Sequence, residues 1–306
     1  MPLSPIELRA KLRGPLAFPI TPFDANLAVD LVGLRANVRI LLDDPPVAIV
    51  AAGGTGELYS LTPGEHLSVV RAVVEECGGT VPVIAGVGFN PALGAELAIA
   101  AAGAGADGIL AFPPYYPNAD EAGLLAYYRA IGQATRLGLL IYSRDWFHPG
   151  AALVEQLASI DTLICWKDGQ GDIRRLQMIM EVVGDRLHWI GGAGDDMVPA
   201  YYATGIRAYT SSVSNLSMRL AHTLHDYAIA GDPRLHGIMT ELIVPLYALR
   251  ARRRGYEVSV MKTLMDRLGI AGGPVRPPLP DVDEATAGVL AGLAPRFREW
   301  ASKPTR

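Results

Sequence analysis

The chain has 306 residues, half of them hydrophobic and 19% charged, with a formal net charge of −4. That composition excludes a disordered chain, supplies a large apolar core, and gives no electrostatic footprint for nucleic acid or an anionic membrane surface. Two cysteines, Cys77 and Cys165, are too few for a disulfide framework at this length. With no apolar signal core in MPLSPIELRAKLRGPLAFP, they point to a soluble cytoplasmic protein.

From the N-terminus, apolar runs at 16–21, 47–54, 81–88, 107–114, 137–143, 162–168, 187–192 and 206–212 read as strands. Each holds apolar residues without polar alternation, the pattern of strands buried on both faces. Helical patterns fill the gaps at 30–43, 63–77, 91–103, 119–135, 149–159, 171–183 and 195–204. Asp30 stands as a cap for the first, and Pro63 follows Thr62 at the start of the second. Strict βα alternation gives a parallel sheet with helical crossovers, and eight units close naturally into a barrel. After the eighth strand the pattern turns wholly helical, at 216–230, 232–254, 256–268 and 283–301, broken by GGPVRPPLP at 272–280. The expected fold is therefore α/β: a (β/α)8 TIM barrel over 1–225 with a C-terminal helical extension, 226–306, packed on it. A doubly wound open sheet is the alternative.

In such a barrel the chemistry gathers at the C-terminal ends of the strands. There the sequence places FPITPFD, GGTGE (53–57), PPYY (113–116), Tyr142, Lys167, GGAGDD (191–196) and Thr210–Ser212. Lys167 closes the greasy run LICWK. An ordinary lysine there points to solvent or pairs with Asp168. At an apolar barrel mouth, desolvation instead favours the neutral amine, a nucleophile toward ketones whose imine becomes an electron sink. Tyr142 ends the adjacent strand, within reach as a proton carrier, and the glycines of GGTGE let backbone amides approach a carboxylate.

FPITPFD, GGTGE, PPYY and the Tyr142 and Lys167 strands, in this order and spacing, resemble the dihydrodipicolinate synthase and N-acetylneuraminate lyase superfamily of Schiff-base aldolases. AAGGTGELYSLTPGE, WKDGQGDIRRL, RLHWIGG, AYTSS and GPVRPPL are most similar to its 5-dehydro-4-deoxyglucarate dehydratase branch. The resemblance implies an imine on Lys167, proton shuttling by Tyr142, and a 2-keto acid carboxylate held at Gly54 and Thr55. It implies a role for Tyr115 at a neighbouring subunit's site in a homo-oligomer, and a keto sugar acid as substrate with no metal and no cofactor. The implied reaction removes water and carbon dioxide from 5-dehydro-4-deoxy-D-glucarate. Arg144 is the candidate for the second carboxylate, with an internal pair to Asp145 as its structural alternative. Ser211 and Ser212 are candidates for substrate hydroxyls, with capping of the next helix as theirs. A pyruvate-dependent aldolase and a non-catalytic ligand-binding barrel are the competing functions.

The sequence departs from the family pattern at Gly54, where the synthases carry threonine or serine, and at Ser143, where the dehydratase branch carries asparagine. GGAGDD also differs from that branch's loop, and the bulky Trp146, Phe147 and His148 suggest a reshaped pocket. Other signals carry less. GAGADG (103–108) follows a helix and leads into a strand, the wrong context for a dinucleotide fingerprint. His222 and His225 lack a carboxylate that would complete a zinc set and read as surface residues. Asp195 and Asp196 read as helix caps, and RARRRG (250–255) as a solvated or subunit-contact helix end.

Overall fold

The structure is a computed structural model describing residues 2–301. Its strands are β1 (Gly14–Ala17), β2 (Ala48–Ala51), β3 (Val83–Phe89), β4 (Gly108–Pro114), β5 (Gly138–Ser143), β6 (Leu163–Asp168), β7 (His188–Gly191) and β8 (Ala208–Ser211). They close in sequence order into one barrel, β8 returning to β1, with every pairing parallel. The open doubly wound sheet is thereby excluded. Six strands lie inside the run that predicted them; β1 begins two residues before its run and overlaps it only at Leu16 and Ala17, and β3 runs one residue past its own, to Phe89.

An N-terminal helix, α1 (Pro5–Lys11), was not expected from hydrophobic periodicity because it is only two turns long. Its signal is local: Ser4 and Glu7 form a capping box and Pro5 occupies the first turn. Leu8 is fully buried beneath the barrel, where a Cβ on Gly108 would come within 2.6 Å of it. The helix thus plugs the N-terminal mouth and leaves the opposite rim open.

The interleaved helices are α2 (Leu31–Leu42), α3 (Pro63–Cys77), α4 (Pro91–Ala104), α5 (Glu121–Gln133), α6 (Ala151–Leu157), α7 (Ile173–Val183) and α8 (Val198–Ala203). Asp30 and Thr62 cap α2 and α3 as expected, each accepting a backbone N–H through its side chain. The expected boundary at residue 225 falls inside α9 (Met218–Ala230), the helix that completes the eighth unit. Beyond it, α10 (Arg234–Ile238) runs through a π turn (Met239–Ile243) into α11 (Val244–Ala251), followed by α12 (Tyr256–Leu268) and α13 (Glu284–Ala301). These helices build a second core from Leu246, Met261, Leu264 and Phe297 with Leu220 and Leu224 of α9. Ile20, just beyond β1, belongs to that core too, so the extension packs at the C-terminal rim. No helix among the described residues is long and apolar enough to cross a membrane.

Candidate active site

Strand register sets the first feature of the site. β5 and β6 pair with Tyr142 opposite Lys167 and Ser143 opposite Asp168. Successive side chains on a strand face opposite ways, so Lys167 and Tyr142 share one face and Asp168 takes the other. Asp168 accepts from the Tyr201 hydroxyl of α8 at 2.7 Å and from the Gly171 amide at 3.1 Å. Lys167 neither points to solvent nor pairs with its neighbour: it is 3% exposed, and Nζ donates to the Gly192 carbonyl at 3.2 Å. The same Nζ lies 2.9 Å from the centroid of the Tyr142 ring, whose hydroxyl donates to Gly192 O at 3.3 Å. Gly192 is required here by close approach, because a Cβ would fall 2.5 Å from Lys167 Cγ.

Burial, reinforced by the positive charge of Arg144, holds the Lys167 pKa well below the ordinary lysine range. Burial pushes Tyr142 the other way, above the usual phenol value, against the pull of Arg144 and Arg250. The two shifts favour a free amine on Lys167 beside a protonated phenol on Tyr142: a nucleophile and an acid.

Both open into a cavity of about 410 Å³ at the C-terminal rim, which Gly54, Thr55, Arg144 and Ser211 also line. The backbone around it is strained. Four non-glycine residues with positive φ sit on this rim: Ala52 (49°) and Glu57 (54°), which flank Gly53–Gly56, then Phe89 (78°) and Asp145 (50°). Such conformations cost on the order of 1–3 kcal/mol each and persist where surrounding structure over-determines them.

The model of the dihydrodipicolinate synthetase family matches residues 11–292. The chain belongs to that family. A protein of a Bradyrhizobium species named probable 5-dehydro-4-deoxyglucarate dehydratase is 38% identical over 95% of both chains. One of the same name from Saccharopolyspora erythraea is 39% identical, covering 94% of this chain and 95% of that one. Among solved structures, dihydrodipicolinate synthase from Bacillus clausii superposes with a TM-score of 0.90 at 27% identity, covering 95% of this chain and 99% of that one. The enzyme from Oceanobacillus iheyensis gives 0.89 at 29%, covering 95% and 98%. As a member of the dihydrodipicolinate synthetase family the chain is an enzyme, a lyase.

Against the family pattern, the glycine at 54 has a local reason. A Cβ there would stand 2.8 Å from an Arg144 guanidinium nitrogen. Arg144 therefore stands at the Gly54–Thr55 end of the cavity, not at a separate far pole. Its Nε also donates to Asp145 at 2.7 Å, and its guanidinium lies 5.3 Å from the Tyr142 ring centroid. Gly54→Ser is expected to fold normally, since the end of a flexible side chain can move, but to displace that guanidinium. KM for a 2-keto acid should rise by about tenfold, the equivalent of about 1.4 kcal/mol. Steady-state kinetics with an unchanged melting temperature would establish this; an unchanged KM would refute it.

Several other expectations take a different form. Tyr115 is 87% exposed and does not line the Lys167 cavity; it borders a neighbouring groove with Trp146 and Phe89. Phe147 is buried against Tyr128, Trp146 and Trp166 rather than in the cavity, so of the three bulky residues after β5 it alone fills the space behind the strand; Trp146 borders the groove and His148 is exposed. Ser211 is fully buried, its hydroxyl engaged by the Asp195 carboxylate and by the Ser214 amide. Asp195 is not a helix cap. It is fully buried and accepts from Ser211, from the amides of Ser212 and Val213, and from Tyr247 at 2.7 Å. His225 is half-buried against the Tyr202 hydroxyl, not a surface group. Arg250, expected on a solvated helix end, lines the cavity, as do Tyr59 and Glu257. No local sequence signal separates Arg250 from the other arginines of its run; only the packing of α11 on the rim does. No group of three or more candidate metal ligands exists among the described residues.

Proposed function

We propose that the chain is a Schiff-base hydro-lyase acting on 5-dehydro-4-deoxy-D-glucarate and releasing 2-oxoglutarate semialdehyde, water and carbon dioxide. The observation that carries the chemistry is the register pair Lys167–Tyr142, a buried amine against a phenol ring, with burial favouring the amine's neutral form. The names of relatives at 38–39% identity support the substrate.

The neutral Lys167 amine attacks the keto carbon, water leaves, and an iminium forms. The adjacent methylene then loses a proton, giving an enamine. The enamine expels the hydroxyl at the next carbon as water, with Tyr142 supplying the proton, and leaves an iminium conjugated to the new double bond. The far carboxylate departs as carbon dioxide, its bonding pair entering that conjugated system. Protonation, tautomerisation of the enol to the aldehyde, and hydrolysis of the imine complete the turnover and return the amine. Gly54 and Thr55, with Arg144 beside them, hold the keto-acid carboxylate.

The same reading assigns the exposed Tyr115 to a neighbouring copy in a homo-oligomer, with Tyr116, 62% exposed, next to it on the same surface.

Borohydride trapping tests the proposal. After incubation with 5-dehydro-4-deoxyglucarate, an adduct on Lys167 that has lost water and carbon dioxide is expected. An adduct of pyruvate but none of the keto diacid would replace the dehydratase with an aldolase. Labelling by neither would remove the Schiff base altogether.

The amine also fixes a pH dependence. The reactive species is the free amine, so trapping should fall as pH drops through the Lys167 pKa, at a pH well below that of an ordinary lysine. Arg144→Gln removes a positive neighbour and lets the amine hold its proton to higher pH. The acid limb of the trapping rate should therefore move upward; a limb that stays put or moves down would contradict this assignment of causes.

A further inference from the structure

Arg250 reaches the Lys167 cavity from α11, not from a barrel strand. Its guanidinium is fixed on three sides. Nε donates to the Glu257 carbonyl at 3.1 Å, a terminal nitrogen donates to Ser212 Oγ at 2.9 Å, and the group lies 4.3 Å from the centroid of the Tyr247 ring. Tyr247 is itself locked, its hydroxyl donating to Asp195 at 2.7 Å and accepting the Asp195 amide at 2.7 Å. Every hydrogen-bond partner of Arg250 is thus a hydroxyl or a carbonyl. Among the described residues it forms no ion pair, in contrast to Arg144, whose Nε is paired with Asp145 at 2.7 Å. A cationic fork lining a cavity and oriented by neutral groups is a preformed site for a carboxylate.

The barrel separates this fork from the first anion pole. Arg144 and Gly54 belong to the ends of β5 and β2, whereas Ser212 follows β8, three strands round the rim from β5 and two from β2. We propose that Arg250, assisted by the Ser212 hydroxyl, binds the second carboxylate of the substrate and makes the enzyme select keto diacids over keto monoacids. The assignment rests on the keto-diacid reading above and adds the residue that reads the far charge. It also gives the C-terminal extension a direct part in specificity.

Two probes of equal length separate the far charge from everything else: 2-oxoadipate, with a carboxylate at each end, and 2-oxohexanoate, with one. Binding of each to the full-length wild type, Arg250→Met and Arg250→Lys is measured by calorimetry, with pyruvate trapping on Lys167 as a control. The wild type should prefer the diacid. Arg250→Met should weaken 2-oxoadipate by roughly 10- to 100-fold, leaving 2-oxohexanoate and the pyruvate trapping rate unchanged. Arg250→Lys should recover part of the preference through its charge. Three outcomes would overturn the assignment: no diacid preference in the wild type, a preference that survives in Arg250→Met, or equal loss for both probes, which would make Arg250 a structural tie between extension and rim. Failure of the dehydratase reading shows separately, as no turnover of 5-dehydro-4-deoxyglucarate by the wild type, and leaves the two-probe comparison intact.

Discussion

Lys167→Met is expected to lower turnover by about 10⁴-fold or more while leaving the fold intact. A nucleophile that forms the covalent intermediate has no substitute in the route, so its loss removes the route rather than slowing one step. Stability should change little. The lysine is already disfavoured in its charged form by burial, it makes one hydrogen bond, to Gly192, and methionine fills a similar volume. Losing that bond costs about 1 kcal/mol, offset by relief from burying an amine. Tyr142→Phe should behave differently. It removes a proton carrier, so turnover should fall by about 10²–10⁴-fold while pyruvate still labels Lys167. Single-turnover trapping followed by intact mass distinguishes the two variants. A Lys167→Met enzyme keeping more than about one hundredth of wild-type turnover would eliminate Schiff-base catalysis.

The part of the site that is legible in the sequence is the part the barrel imposes. Strand ends are readable as the last apolar residue of each run, and in a parallel barrel these ends must meet on one rim. That alone brings Lys167, Tyr142, Gly54 and Thr55 to one cavity. What stays illegible depends on which way a side chain turns or on distant packing. Asp168 follows Lys167 in sequence but lies on the other strand face, with Tyr201, so adjacency misleads about pairing. Asp195 has the look of a cap, yet the close return of β8 and α11 makes it a buried acceptor for four donors. Arg250 lies 83 positions beyond Lys167 in the chain, in a run whose charge pattern reads as solvated helix. Gly54 is visible as a departure from the synthases, but its reason, room for the Arg144 guanidinium, requires the barrel interior.

The second large effect is expected from Lys262→Met, far from the reacting atoms. Lys262 of α12 and Glu57 form an ion pair at 2.6 Å with side chains 1% and 0% exposed. Removing one partner of a buried pair leaves the other charge without compensation and costs about 3–5 kcal/mol. Here the orphan would be Glu57, whose other carboxylate oxygen accepts the Arg276 amide at 3.2 Å. Glu57 sits in the left-handed region two residues beyond Thr55, and its amide donates to the Gly54 carbonyl at 3.1 Å. Arg276 adds a second clamp on the same segment, bonding the Ser60 carbonyl at 2.7 Å and both oxygens of Glu65, which lowers the Glu65 pKa to about 2. The strained loop that presents Gly54 and Thr55 is therefore held from outside the barrel, by α12 and the segment after it. Urea denaturation of Lys262→Met should show the stability loss, and kinetics should show KM rising more than kcat falls, because the carboxylate cradle loosens while Lys167 stays in place. Pairing it with Glu57→Gln removes the stranded charge, so the double variant should regain most of the stability but not the KM. A Lys262→Met protein within about 1 kcal/mol of wild type, well short of the cost of a broken buried pair, would mean that the loop holds its shape on its own and that the extension only covers it.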